Sequence, residues 1–93
     1  MRFTDIDQEA PKIEFPCDYP IKVMGIASEG FQAEVMEVIH RHASPVPEDR
    51  ISERASARGN YLSITVVIEA TGEAQLASIF RELMDQASVK IVL

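Results

Sequence analysis

Two histidines and a single cysteine are the side chains of this sequence best able to bind a metal or act as nucleophiles. His40 and His42 lie two residues apart in a segment expected to be helical, so their side chains point away from each other. Metal ligands on one helix are usually three or four residues apart. Cys17 has no basic neighbour in sequence that would stabilise a thiolate. The sequence therefore predicts no metal site and no catalytic residue, and we expect the histidines to complement the dipole at a helix C-terminus.

A second cluster surrounds a predicted hairpin turn at Gly59 and Asn60. These two residue types adopt the positive φ values that tight hairpin turns require. Arg58 and Tyr61 flank the turn and would be exposed at its tip, where they could contact a partner. For Gly59 and Asn60 a purely structural role is favoured. The role of Arg58 is left open.

The composition limits the classes of function. Ninety-three residues, of which 46% are apolar, fit one domain with one modest core. The net charge of −6 disfavours nucleic acid as a partner, because binding to phosphate relies on Lys and Arg. A lone cysteine cannot form an internal disulfide, the acidic start does not resemble a signal peptide, and no apolar run approaches the ~20 residues of a membrane span. We expect a cytoplasmic protein without a membrane partner or a cofactor.

The first half of the chain is predicted to form a leader, a strand and a helix. Residues 1–18 are mixed and acidic, and we expect them to be loose at first and to pack only through Ile13 or Phe15. The domain would occupy residues 19–93. Alternation predicts a strand over Tyr19–Ile26. A stripe of Phe31, Val35, Val38 and Ile39 predicts a helix over Gly30–Ala43, with Ser28 as its N-cap and Glu29 in its first turn.

The second half repeats this order after a weak, polar strand at Ile51–Ala57. The longest predicted strand is Leu62–Ala70, with alternating apolar and polar residues. Thr71 is expected to cap a second helix. A last strand is predicted at Val89–Leu93. The apolar stripe of the second helix would consist of Leu76, Ala77, Phe80, Leu83 and Met84.

The order βαββαβ predicts an α+β sandwich of the ferredoxin-like class. With right-handed crossovers it gives a four-stranded antiparallel sheet in the order 4-1-3-2, with both helices on one face. The long strand would be central, and the polar strand an edge. One core beneath the sheet should contain Val35, Ile64, Val66 and Phe80.

The other face of this sheet would have no partner within the chain. We expect it to contact a second copy or a partner enzyme, with the edge strand as a further site for a second chain. The charges of Glu53 and Arg54 on that edge argue against such pairing. The residues predicted for this face are Lys22, Tyr61, Ser63, Thr65, Val67 and Lys90, and those predicted to interact are Lys22, Arg58, Tyr61, Thr65 and Lys90.

Five segments resemble a known family. They are Glu14-Phe-Pro, Ile21-Lys-Val-Met-Gly25, Val38-Ile-His-Arg-His-Ala43, Ser56-Ala-Arg-Gly-Asn-Tyr61 and Val89-Lys-Ile-Val-Leu93. Together they resemble the YbeD-like family, small bacterial proteins that consist of a domain of unknown function. The resemblance implies a ferredoxin-like fold similar to the ACT domains that regulate amino-acid enzymes. It also implies a link to lipoate metabolism, because in some bacteria such a gene lies beside lipoate-attachment genes. A departure is Cys17-Asp-Tyr-Pro, whose proline would shorten the first strand.

The similarity to ACT domains points to a site for a small-molecule effector. Those domains bind ligands where the first strand leads into the first helix, often at a dimer interface. Backbone N–H groups at a helix N-terminus suit a carboxylate, although Glu29 would repel one. An ordinary capped turn is the alternative. The residues predicted to bind the ligand are Gly25, Ser28, Gly30 and Phe31.

Two other functions share this fold class and stay open as alternatives. Acylphosphatases use an arginine in the loop after the first strand, but Gly25–Gly30 contains none. Nucleic-acid binders of the RNA-recognition type stack bases on aromatic residues of the central strands, where this chain has only Tyr61. The favoured prediction is a non-enzymatic regulatory or interaction module.

Overall fold

The computed structural model of the protein describes residues 14–93. Within them the chain forms four strands and two α-helices in the predicted order. The expected looseness of the leader, and packing through Ile13, concern residues outside this range. Phe15 packs, half-buried, against the core. The elements are β1 (Cys17–Ile26), α1 (Phe31–His42), a 3₁₀ turn (Glu48–Arg50), β2 (Ile51–Ala55), β3 (Tyr61–Ala70), α2 (Glu73–Asp85) and β4 (Val89–Val92).

The strands form one antiparallel sheet in the order β2-β3-β1-β4. This confirms the ferredoxin-like prediction, including the central place of the long strand and the edge position of β2. β1 and β3 pair along their whole length, from Cys17 opposite Ala70 to Ile26 opposite Tyr61. The two longest strands therefore fix the geometry of both faces of the sheet.

One face of the sheet and both helices share a single core. Alternate residues of β3, from Ile64 to Ala70, are buried, as the period of two predicts. All four predicted positions of the α1 stripe are also buried. On α2 the prediction was partly wrong. Ile79 is fully buried and Phe80 only half-buried, whereas Met84 is exposed and Ala77 lies outside the core.

β1 is longer than predicted. It begins at Cys17, so Cys17 and Asp18 belong to the strand and not to the leader, and the proline does not shorten it. The N–H of Lys22 donates to Leu93, on the side where β4 lies. Position 20 has the same orientation along the strand, but it lies beyond the end of β4. The missing N–H of Pro20 therefore costs no hydrogen bond between strands.

The predicted side-chain caps of both helices were wrong. Gly30 is the N-cap of α1, which begins at Phe31, and only the backbone carbonyl of Ser28 contributes, accepting from the N–H of Phe31. Glu29 precedes the helix, whose first turn has Glu34 as its acidic residue. At α2 the N-cap is Gly72, again without a side-chain cap.

Gln75, and not Thr71, makes the side-chain hydrogen bonds near the start of α2. Its Oε1 accepts from the backbone N–H of Thr71 at 2.8 Å, and its Nε2 donates to the carbonyl oxygen of His42 at 2.8 Å. One amide thus satisfies a backbone donor before α2 and an orphan acceptor at the end of α1. The start of one helix is thereby tied to the end of the other.

Gln75→Ala should lower the free energy of unfolding by about 1–2 kcal/mol, because two backbone groups lose their partner. Thr71→Ala is the matched control and should change it by less than about 0.5 kcal/mol, since only the backbone of Thr71 takes part. Urea unfolding followed by circular dichroism measures both. Equal losses from the two variants would contradict the role given to Gln75.

The hairpin between β2 and β3 is wider than the two-residue turn that was predicted. β2 ends at Ala55, two residues earlier than expected, and Ser56 closes the loop. Its N–H donates to the carbonyl oxygen of Tyr61, and its Oγ accepts from the N–H of Tyr61 at 3.1 Å. Gly59 has φ 76°, as predicted, but the φ of Asn60 is not positive, since within residues 14–93 no residue other than glycine has positive φ.

β4 ends at Val92 and contains an irregularity that changes which side chains face outwards. Met24 pairs with Ile91 and Gly25 with Val89, so Lys90 has no partner on β1. An extra residue of this kind is a β-bulge. The structure therefore corrects the predicted position of Lys90: Ile91 lies opposite Met24 on the uncovered face, and Lys90 is an exposed residue of the bulge.

Candidate functional site

The face of the sheet opposite the helices, here called the open face, is the most distinctive surface of the described chain. In an antiparallel ladder, paired residues point to the same side. The buried residues of β1 and β3 point towards the helices. The residues that alternate with them, and the residues paired with those on β2 and β4, therefore lie on the open face. That set is Asp18, Pro20, Lys22, Met24, Ile26, Ser52, Arg54, Tyr61, Ser63, Thr65, Val67, Glu69, Ile91 and Leu93.

Exposed apolar side chains concentrate at one end of the open face, which we call the hairpin end. Five large hydrophobic residues of the described chain are exposed, and four of them lie here. The fifth, Met84 on α2, is 52% exposed. The four are Ile26 at 44%, Tyr61 at 46%, Ile91 at 45% and Leu93 at 68% exposed. Since Ile26 pairs with Tyr61 and Met24 pairs with Ile91, they form a contiguous patch.

Two basic side chains border this patch. Arg54, Ser63, Met24 and Ile91 form one row across all four strands. Lys22 lies in the next row, where it exchanges backbone hydrogen bonds of 3.0 and 2.8 Å with Leu93. A shallow depression of about 470 Å³ lies between the hairpin and the sheet. Its walls include Lys22, Met24, Arg54, Tyr61 and Ser63.

The other end of the open face is closed by an ion pair. Asp18 lies directly opposite Glu69, a pairing of like charges that would repel. Arg50 neutralises it by donating from Nη1 and Nη2 to the two carboxylate oxygens of Asp18, at 2.9 and 3.4 Å. The hydrogen bond to Asp18 is the main cause that raises the pKa of Arg50 above its usual value. The guanidinium group of Arg50 is therefore already paired with a carboxylate of the same chain.

The predicted ligand-binding loop is largely filled by its own side chains. Phe31 is fully buried, and its ring packs against Gly25, where a side chain would come within 2.5 Å of Cε1 of the ring. Gly30 is exposed, with open space around it, and Ser28 is exposed as well. Gly25 and Phe31 are thus parts of the core, and a ligand at this loop would reach only Ser28 and Gly30.

The histidines of α1 serve its connection to neighbouring segments. Nε2 of His40 accepts from the N–H of Val46 at 3.3 Å. Nε2 of His42 lies 3.1 Å from Oε1 of Glu82 on α2, in ion-pair range but without hydrogen-bond alignment. His40 and His42 lie with Arg41 in the last turn of α1, and their expected effect on the helix dipole stays a prediction. Within residues 14–93 no group of three or more His, Cys, Asp or Glu is placed to hold a metal ion.

Comparison with known proteins gives the family. A family model described as "Protein of unknown function (DUF493)" matches residues 10–93. The chain belongs to this family. A UPF0250 protein of Azotobacter vinelandii is 50% identical over 91 residues, which are 97% of this chain and 99% of that relative. One from Hahella chejuensis is 41% identical over 90 residues, again 97% and 99% of the two chains. The resemblance to a small bacterial family of unknown function is confirmed.

Solved structures confirm the fold of this DUF493 protein. The solution structure of protein HP0495 from H. pylori is 19% identical, with a TM-score of 0.76, and the match covers 94% of this chain and 91% of that one. The ACT domain from GTP pyrophosphokinase of Chlorobium tepidum is 16% identical, with a TM-score of 0.65, covering 83% and 97%. At these identities the likeness concerns the fold alone. Neither helix within residues 14–93 is long and apolar enough to cross a membrane.

Sequence reasoning identified part of this site. Lys22, Tyr61 and Thr65 lie on the open face as predicted, and Arg58 is exposed in the hairpin loop. The missed residues are Met24, Ile26, Arg54, Ile91 and Leu93. Alternation along β1 contained a signal for the first two, since they follow Lys22 at every second position. For β4 there was none, because the bulge shifts the faces.

Proposed function

We propose that this protein is a non-enzymatic regulatory or interaction module of ACT type that docks a partner on the hairpin end of its open face. The observation that carries the proposal is the patch formed there by Ile26, Tyr61, Ile91 and Leu93. No element of the described chain covers it. Exposed apolar patches bordered by polar groups mark interaction sites, and a half-covered sheet gains stability when another layer packs on it.

The chemistry of the described residues supports binding rather than catalysis. No polar or charged residue within 14–93 is buried, whereas catalytic groups usually rely on burial to alter their pKa. The loop after β1 contains no arginine, and Gly25 is packed against Phe31. Action in the cytoplasm is part of the proposal, supported by the lone free cysteine, Cys17. A partner in lipoate metabolism stays a prediction from the family resemblance.

Site-specific photo-crosslinking in the native cell tests the proposal. A benzophenone amino acid placed at Ile91 or at Tyr61 should give a discrete covalent adduct on irradiation. The matched control is the same amino acid at Met84, which is equally exposed but lies on α2. Mass spectrometry of the adduct then separates a second copy of this chain from a different protein.

The comparison between positions decides the outcome. Adducts at positions 61 and 91 without adducts at 84 would support docking on the open face. Absence of adducts at all three positions, at normal protein level, would contradict it. So would adducts at 84 alone, because the partner would then dock on the helices.

A further inference from the structure

We infer that the hairpin end binds an acidic amphipathic helix of another protein, whose apolar stripe packs on the patch and whose carboxylates face Lys22 and Arg54. This inference rests on the proposed function and specifies the partner. It follows from three features of the face: its charge, its dimensions and its poor fit to a second copy.

The charge of the hairpin end is opposite to that of the whole protein. The chain has a net charge of −6, yet four of its basic residues lie in or beside this patch. Among the ion pairs of residues 14–93, none involves Lys22 or Arg54, whereas Arg41 and Arg50 each contact carboxylates. Glu53 is the carboxylate that also borders this surface. The four basic residues are Lys22, Arg54, Arg58 and Lys90.

The dimensions of the patch suit one helix. The row from Arg54 to Ile91 crosses three strand spacings, roughly 14 Å. Nine or ten helical residues cover about that length at ~1.5 Å each. A basic side chain lies at the β2 side of the row and the apolar Ile91 at the other, so the helix needs both acidic and apolar residues.

A second copy of this chain fits the face poorly. In a two-fold interface the hairpin end of one copy can pack on the hairpin end of the other, or the axis can pass through the middle of the two sheets. Overlap of the hairpin ends would bring Lys22 and Arg54 against their own counterparts. Lys22 also lies in the middle row of the paired strands, so a stack centred on the sheet would bring the two Lys22 side chains close together. Both arrangements add like-charge repulsion to that between two chains of charge −6.

Nucleic acid is also a poorer match than an acidic helix. Tyr61 is the only aromatic residue that the ladders place on the open face. Proteins that bind single-stranded nucleic acid stack several bases on aromatic side chains. The rest of the surface is acidic and would repel a phosphate backbone outside the patch. A helix with local negative charge avoids that repulsion because its contact is confined to the patch.

Peptide titration of the full ¹⁵N-labelled chain tests the inference. The probe is a 20-residue peptide with Leu at helical spacing i, i+3, i+4 and i+7 and Glu elsewhere. One comparison peptide has Lys at every Glu position, and a second has Ser at every Leu position. An oligouridylate of 12 nucleotides is the nucleic-acid arm. The Glu/Leu peptide alone should shift the amide signals of Lys22, Met24, Tyr61 and Ile91, with an affinity that falls as salt rises.

Variants of the protein identify which side chains carry the binding. Lys22→Glu combined with Arg54→Glu should weaken it at least tenfold, because attraction becomes repulsion. Ile91→Ser should weaken it several-fold through lost apolar contact. The matched controls are Arg81→Glu and Met84→Ser on α2, and each should leave the affinity within twofold of the unmodified chain.

Several results would overturn the inference. These are no shift with the Glu/Leu peptide at millimolar concentration, shifts confined to the helices, equal binding of the Lys/Leu peptide, and binding of the oligouridylate in preference to the peptide. Crosslinking at positions 61 and 91 separates these failures from failure of the proposed function. Adducts there without peptide binding would mean that the open face is used but that its partner is not an acidic helix.

Discussion

Val66→Asp should prevent this protein from folding at 37 °C. Val66 is fully buried at the centre of β3, between Ile21 of β1 and Ile51 of β2. An unpaired carboxylate at such a position costs about 4–5 kcal/mol or more. A domain of this size is stable by roughly 5–14 kcal/mol in total, and one modest core places it near the lower end, so little or no stability would remain. Loss of the cooperative urea transition, followed by circular dichroism, is the expected observation.

Val67→Asp is the matched control for this substitution. It introduces the same side chain one residue further along the same strand, but on the open face, where Val67 is half-buried. Its cost should be about 1 kcal/mol, so the variant should fold. The period of two in β3 is thus tested directly. A folded Val66→Asp variant beside an unfolded Val67→Asp variant would mean that the faces of β3 are reversed.

Gly25→Ala should lower the free energy of unfolding by roughly 2 kcal/mol, because the added methyl group has no space. It would come within 2.5 Å of the Phe31 ring and would overlap the carbonyl oxygen of Ser88. That carbonyl cannot easily move away, because it accepts from the N–H of Ile26 at 2.9 Å. In a domain of this length, such a loss corresponds to a fall in Tm of about 8–16 °C. A thermal scan measures it.

Gly30→Ala provides the comparison for Gly25. Both glycines belong to the predicted ligand-binding loop, but nothing lies within 4 Å of a side chain added at Gly30. Its φ of −89° is also open to alanine. The Tm should therefore change by only a few degrees. If Gly25→Ala proved equally harmless, the close packing of Phe31 on β1 would be wrong, and a ligand could occupy that space.

These experiments distinguish the two surfaces that were predicted to be functional from the sequence, the loop after β1 and the open face. The loop between β1 and α1 contains residues that the core requires, so substitutions at Gly25 and Phe31 will report on stability before they report on a ligand. The exposed residues of the open face are not part of the core. Lys22, Tyr61 and Ile91 are exposed or half-exposed, and their replacement should leave the fold intact. Loss of partner binding in those variants can therefore be assigned to the surface itself.

The sequence by itself determined the class of fold, because that depends on local periodicity. The alternation of Ile64, Val66 and Ile68 and the stripe of Phe31, Val35 and Val38 identify one strand and one helix, and all six are buried. The order of elements and the rule of right-handed crossovers then leave one economical topology. The turn at Gly59 was also predictable, since it depends on the backbone freedom of one residue.

Only the tertiary structure decided the details that depend on residues distant in sequence. The Gln75 amide ties the backbone before α2 to the end of α1 because the carbonyl of His42, 33 residues earlier, lies where it can reach. Pro20 is tolerated because β4 ends before it. The bulge at Lys90 turns Ile91 and Leu93 onto the open face, where they join Ile26 and Tyr61. A patch assembled from three strands depends on their register, and register is set by pairing and not by the sequence of any one strand.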